Sequence, residues 1–227
     1  MPQEENEKLI AVMKSYERKS KLSHYDMWGK ATRSFKFKVE EFRLVAAECP
    51  KPRGPDMLAL DAGCGYGVYS LMLSQRGYSV VALDVSAGML KKAKNSVEDG
   101  NVSFVRGSIT HLPLREDLFD LTLCPDTLHH FTDSFLDKAL GEFRRTIRYG
   151  GVLITDMRNA LNPAVSLEYW MVNRKWAEEG GLTLKARSLR NIRKKMNRHQ
   201  FKINKTKGIR FALNALAPYI LIVSKAV

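Results

Sequence analysis

Between residues 57 and 157, short apolar runs alternate with stretches whose apolar residues recur at helical spacing. Met57-Leu58-Ala59-Leu60-Asp61 predicts a buried strand that runs into Gly63, Gly65 and Gly67. Val68–Gln75 predicts a helix stopped at Arg76-Gly77. Ser79–Asp84 predicts a second strand, followed by a helix capped at Ser86 and running to about Ser96. Val102–Val105 and Phe119–Cys124 predict a third and a fourth strand, the latter broken by Pro125. From Ser134 to about Tyr149, the residues Phe135, Leu136, Ala139, Leu140, Phe143 and Ile147 fall on one helical face. Gly150-Gly151 then ends the helix and residues 152–156 predict a fifth strand. Residues 7–19 and 35–47 predict two N-terminal helices, set off by Pro50, Pro52 and Pro55. After residue 158 the pattern changes to a Pro163-led helix with Tyr169, Trp170 and Trp176, a basic helix near 188–198, and two strands near 201–206 and 219–225.

Strands alternating with helices imply a mostly parallel α/β sheet. Composition agrees with a globular chain: of 227 residues, 44% are hydrophobic and 27% charged, which argues against disorder and fibrous repeats. The longest apolar patch, Phe211–Val223, is interrupted by Asn214 and Pro218, so no transmembrane segment is expected. The acidic start Gln3-Glu4-Glu5 is unlike a signal peptide, and Cys49, Cys64 and Cys124 have neither disulfide-framework nor zinc-ligand spacing. A cytoplasmic location and no metal are the resulting expectations. Charge is uneven. Residues 158–210 carry 14 Lys+Arg against 3 Asp+Glu, most of the net +13. Such a segment is either a solvated face or a grip for a polyanion or an anionic lipid surface.

The chemistry concentrates at Asp61-Ala62-Gly63-Cys64-Gly65-Tyr66-Gly67. A glycine-rich turn between strand and helix lets the backbone approach a ligand closely and presents N–H groups to it. The dinucleotide pattern Gly-x-Gly-x-x-Gly fails, because its third glycine would stand at Val68. A P-loop fails too, because no lysine occurs between Arg53 and Lys91.

With Asp61 ahead of three closely spaced glycines, the segment resembles the class I S-adenosylmethionine-dependent methyltransferases, in particular their methyltransferase type 11-like group. The resemblance runs from about Met57 to Met157 and rests on several motifs in order. Asp84 ends the second strand, 17 residues after Gly67, and Ser86-Ala87-Gly88-Met89-Leu90 follows. Gly107-Ser108-Ile109 comes after the third strand. Leu112-Pro113-Leu114, Phe119-Asp120, Leu128-His129-His130-Phe131 and Tyr149-Gly150-Gly151-Val152-Leu153-Ile154 complete the series. The implied fold is α/β, Rossmann-like and doubly wound: a seven-stranded, mostly parallel sheet with an antiparallel last strand, an N-terminal helical cap over 1–53 and an inserted lid. The methyltransferase domain would span 54–227, with 158–187 as a substrate-side insertion in one structural domain overall. The implied cofactor is S-adenosyl-L-methionine. Asp61, Gly63, Cys64 and Gly65 would hold its methionine end, Asp84 and Val85 its ribose, with Met89 beside them and Ser108 and Ile109 against the adenine. The family usually has Asp where Ser108 stands. An ionised carboxylate only accepts hydrogen bonds, which suits Asp84 to a vicinal diol. Tyr25, in Tyr25-Asp26-Met27-Trp28, resembles the family's tyrosine over the cofactor, helix packing being the alternative. Cys124 stands at the fourth strand's end, either in the site or simply buried.

Methyl transfer from a sulfonium is an in-line displacement, and it needs a base only if the acceptor must lose a proton. Asp126–Phe131 should face the methyl group, since ligands of open α/β sheets bind beyond the carboxyl ends of strands. Either His129 or His130 suits a base by its ordinary pKa, and His129 is the candidate; packing at a helix start is the other reading. The aromatics of 169–176 either bind an apolar acceptor or belong to the core; the first reading suits a small-molecule or lipid-like acceptor. The basic late segment favours transfer RNA as the alternative partner. A non-catalytic module that binds the cofactor is a third reading. Nothing in the sequence speaks to oligomeric state.

Overall fold

In the computed structural model, the structure describes residues 33–54, 56–97, 100–178, 184–209 and 216–227. The expected helix over 7–19, and Tyr25 with it, lie outside these. The described elements are α1 (Arg33–Glu48), β1 (Leu58–Ala62), α2 (Val68–Gln75), β2 (Ser79–Asp84), α3 (Ala87–Ser96), β3 (Val102–Arg106) and β4 (Phe119–Cys124). A short 3-10 turn (Leu128–His130), α4 (Asp133–Thr146), β5 (Ile147–Arg158), α5 (Pro163–Glu178), α6 (Leu189–Arg198), β6 (Phe201–Ile209) and β7 (Tyr219–Ala226) follow.

The strands form one seven-stranded sheet in the order β3-β2-β1-β4-β5-β7-β6. β1 to β5 pair in parallel, and β7 runs antiparallel to both β5 and β6. Alternation along each strand sorts the side chains into two cores. On one face Leu60, Phe119, Leu153 and Ile220 pack under α4 and α6, through Leu136, Leu140, Ile192 and Met196. On the other, Ala59, Val80, Leu121 and Ile154 pack under α1 and α2, through Val45, Met72 and Leu73. The order reverses between β1 and β4, which opens a crevice at the carboxyl ends of those strands.

Helix starts follow their capping residues. Ser86 accepts the Met89 N–H at 3.2 Å and Ser188 accepts the Asn191 N–H at 3.2 Å. The largest departure from expectation is where α4 gives way to β5. α4 ends at Thr146, and Ile147–Tyr149 already belong to β5. Ile147 is buried by pairing with Phe119, and the ladder shifts register between Phe119 and Leu121. Gly150 (φ +76°) and Gly151 carry that shift inside the strand; a side chain on Gly151 would meet the Phe119 carbonyl oxygen at 3.1 Å. The glycine pair therefore bends a strand rather than ending a helix. No helix among the described residues is long and apolar enough to cross a membrane.

Candidate active site

The crevice holds a cavity of about 520 Å³, within the size range of small-molecule sites. Its floor is the glycine turn, Gly63, Cys64 and Gly65. Leu83, Asp84, Val85 and Met89 form one side, with Gly107, Ser108 and Ile109 beyond. Pro125, Asp126, Thr127, His130 and Phe131 form the other side. α1 covers it with Lys38, Val39, Phe42 and Arg43. Among the described residues, the lining draws nothing from 158–187; the cover seen here comes from the N-terminal helix.

The glycine turn is tied to β2. The N–H groups of Gly63 and Cys64 donate to the Leu83 carbonyl oxygen at 2.8 and 2.9 Å, and the Gly65 N–H donates to Asp84 Oδ2 at 2.9 Å. Asp84 Oδ1 accepts the Ser86 N–H at 2.9 Å. Gly63 and Gly65 both have positive φ, +81° and +52°. At Gly63 a Cβ would collide with Thr127, whereas at Gly65 it would enter open space in the cavity. A backbone that a ligand must approach closely has this character. The carboxylate of Asp84, the glycine floor and the apolar Met89 and Ile109 on the cavity lining are chemically suited to a ligand with a diol, a charged amino-acid end and a flat ring. Ser108 turns its hydroxyl to Thr110 Oγ1 at 2.8 Å.

Two expected ligands lie behind this wall. Asp61 is buried under the turn, where Ser70 Oγ donates to its Oδ2 at 2.6 Å and its Oδ1 has no hydrogen-bond partner. Burial pushes its pKa up to about 7, with the Asp84 charge adding to the shift and Ser70 opposing it. Cys124 is fully buried at the end of β4 and does not line the cavity; burial pushes its thiol well up.

His129 is likewise turned away. It is buried, outside the lining, with Nδ1 3.8 Å from Asp126 Oδ1 and its ring 6.4 Å from that of Tyr169. Burial, His130 and Arg158 hold its pKa well below the ordinary value, so it stays neutral. His130, 4.0 Å away ring to ring, lines the cavity instead. The 3-10 turn sends the two histidines in different directions, which spacing alone does not distinguish.

An ion network missed in the sequence stands beside the acceptor half. Asp126 pairs with Lys38 of α1 and with Arg158 of β5; Arg158 also pairs with Asp156, and Lys38 with Glu41 at 2.7 Å. The Asp126 N–H donates to Asp156 Oδ1 at 2.7 Å, and the Arg158 guanidinium lies 4.2 Å over the Tyr219 ring. Despite desolvation, Lys38 and Arg158 hold the Asp126 carboxyl far below the usual range, while burial pushes Glu41 up to about 7. Glu41, Asp126 and Asp156 bring carboxylate oxygens within 4.8 Å of one another, with Lys38 and Arg158 supplying the counter-charge. Asp126 adopts φ +52°, a left-handed conformation that Asp tolerates better than most residues. Lys38 and Glu41 were findable only as a polar pair on the helix expected over 35–47.

Solved structures share this architecture. An S-adenosylmethionine-dependent methyltransferase structure from Mesorhizobium loti superposes with a TM-score of 0.66 at 19% identity, covering 82% of this chain and 97% of that one. At such identity the likeness defines a class I methyltransferase fold. Sequence likeness covers part of the chain. Residues 60–155 match the family model described as a methyltransferase domain. A malonyl-[acyl-carrier protein] O-methyltransferase from Hamiltonella defensa is 38% identical over 95 residues, 42% of this chain and 35% of that protein. A demethylmenaquinone methyltransferase from Renibacterium salmoninarum is 35% identical over 100 residues, 44% of this chain and 40% of that protein. Residues 60–155 thus resemble a methyltransferase domain, within a chain that has the fold of S-adenosylmethionine-dependent methyltransferases. The matches span well under two thirds of the length of these relatives.

Proposed function

We propose that this protein transfers the methyl group of S-adenosylmethionine to a small-molecule or lipid-like acceptor. The observation that carries the reading is the single continuous cavity: a glycine floor and Asp84 at one end, and Val39, Phe42, Pro125 and Phe131 at the other. The cofactor supplies an electrophilic methyl on a sulfonium. In this reading Asp84 takes the ribose hydroxyls, Gly63–Gly65 border the methionine end, and Ser108 and Ile109 border the adenine.

The acceptor half is largely apolar and lies under α1. Displacement at a sulfonium neutralises charge, so orientation and desolvation supply much of its acceleration, on the order of 7–11 kcal/mol for a well-placed pair. Asp126 is held ionised by Lys38 and Arg158 and is too weak a base to take a proton. His130, on the cavity wall, is better placed than His129 for an acceptor that must lose one. The relatives named for malonyl-[acyl-carrier protein] and for demethylmenaquinone support an acceptor of this kind.

The test is incubation of the protein and methyl-labelled S-adenosylmethionine with fractionated cell extract. Label in the organic-soluble or small-molecule fraction is the expected result. Label confined to RNA would overturn the acceptor class.

A further inference from the structure

Eight large apolar side chains are exposed among the described residues, and five of them collect on and around α5: Leu161, Leu167, Trp170, Met171 and Leu216. Scattered singly they would need no explanation, but contiguous apolar surface marks an interaction site. α5 carries apolar residues on both faces, unlike an ordinary surface helix. Its Val165 and Tyr169 are buried, and Leu167, Trp170 and Met171 stand together on the opposite, outward face, with Trp170 60% exposed. Asn162 Nδ2 donates to the Leu216 carbonyl oxygen at 2.7 Å, which brings Leu216 to the same end as Leu161.

Three further observations define what covers this face. The first is charge. Arg174 lies 5.9 Å over the Trp170 ring, exposed Lys175 follows it, and the Asn173–Leu184 hydrogen bonds at 2.7 and 3.0 Å bring exposed Lys185 alongside. The second is the surrounding segment, where 14 Lys+Arg face 3 Asp+Glu over 158–210. Part of that excess is spent internally: Arg158 on Asp126 and Asp156, Arg187 on Asp133, and Lys195 on Asp137. Arg174, Lys175, Lys185, Arg190, Arg193 and Lys194 stay on the surface. The third is position. Trp170 adjoins Tyr169, whose ring is 6.4 Å from His129, which in turn lies 4.0 Å from His130 on the cavity wall. The apolar face therefore lies at the same end of the sheet as the cavity.

Aromatic and aliphatic side chains flanked by arginine and lysine are the arrangement by which a helix lies in a lipid–water interface. We propose that the outward face of α5 docks the protein on an anionic lipid bilayer, with Leu167, Trp170 and Met171 entering the interface and Arg174 and Lys175 against the headgroups. This deepens the lipid-like acceptor reading, because a cavity at the docked end can receive a membrane-resident acceptor, but docking itself requires no turnover.

The test is cosedimentation of the full chain with phosphatidylcholine vesicles, with and without phosphatidylglycerol, at low and at physiological salt. Binding to the anionic vesicles that weakens with salt is expected. Trp170→Ser/Met171→Ser should reduce partitioning at least ~10-fold, and Arg174→Glu/Lys175→Glu should reduce it on anionic vesicles alone. Both variants should keep the cofactor affinity of the parent, since these residues lie outside the cavity. No sedimentation with either vesicle overturns the proposal, as does sedimentation indifferent to Trp170→Ser/Met171→Ser. A dimer lost in that variant, without vesicle binding, would assign the face to a second copy of the chain. A transfer RNA gel shift without vesicle binding would assign the basic surface to RNA. The vesicles contain no methyl acceptor, so failure here and failure of the acceptor assay are read independently.

Discussion

The N–H of Gly65 donates a 2.9 Å hydrogen bond to Oδ2 of Asp84, tying the glycine turn to the acid at the end of β2. The same carboxylate accepts the Ser86 N–H at the start of α3. Asp84 thus orients the floor of the site besides facing the cavity, so replacing it affects both the turn and the ligand.

Asp84→Ala should weaken S-adenosylmethionine binding by about 10–150-fold, the effect of losing a hydrogen bond to a charged group worth roughly 1.5–3 kcal/mol. Asp84→Asn keeps an oxygen for one of the two backbone N–H groups and should lose less. Calorimetry on folded variants checks the order. Equal affinity in all three proteins would remove Asp84 from the ribose role.

Gly65→Val should abolish cofactor binding while the fold persists with a lower melting temperature. Its φ of +52° disfavours a β-branched residue, and the added side chain would enter the cavity. Circular dichroism with a binding titration checks this; tight binding in the variant would place the ligand elsewhere.

Arg158→Met should destabilise the protein by about 3–5 kcal/mol, because it strands Asp126 and Asp156 without their shared cation. Lys38→Met should cost less, since Lys38 is only partly buried, but it should loosen α1 over the cavity. Denaturant unfolding supplies the stabilities, and protease sensitivity of α1 in Lys38→Met reports the second effect.

Asp61 predicts a pH dependence. Its carboxyl is raised from the ordinary 3.8 to about 7 by burial, so between those values the folded chain holds a proton that the unfolded chain has released. The associated stability is full below the ordinary carboxylate range and is lost as pH climbs through about 7. Glu41, also pushed to about 7, acts in the same direction, whereas His129, held low, acts oppositely below about pH 6.5. Comparing the parent with Asp61→Asn isolates the first contribution. The parent should lose stability relative to the variant as pH rises from about 5 to about 8, measured by thermal melts; a constant difference across that range contradicts a raised Asp61.

Where information is local, the sequence was sufficient. The boundaries of α2, β2 and β4, and the Ser86 cap, follow from apolar runs, Gly-rich stops and a hydroxyl before a helix. That Gly63, Gly65, Asp84, Met89 and Ser108-Ile109 share one cavity edge is legible because a strand–turn–helix unit and its neighbours fix their spacing. Other features depend on contacts between residues far apart in the chain. Ile147 fits a helical face and a strand equally well, and only its pairing with Phe119 makes it a strand residue. His129 and His130 are adjacent in sequence, and the packing of His129 against Asp126 and Tyr169 is what turns it from the cavity. Lys38, Asp126 and Arg158 come from a helix, a loop and a strand, 88 and 32 residues apart along the chain. A buried ion network exists only where the fold brings its charges together and withdraws them from water, so no local pattern announces it.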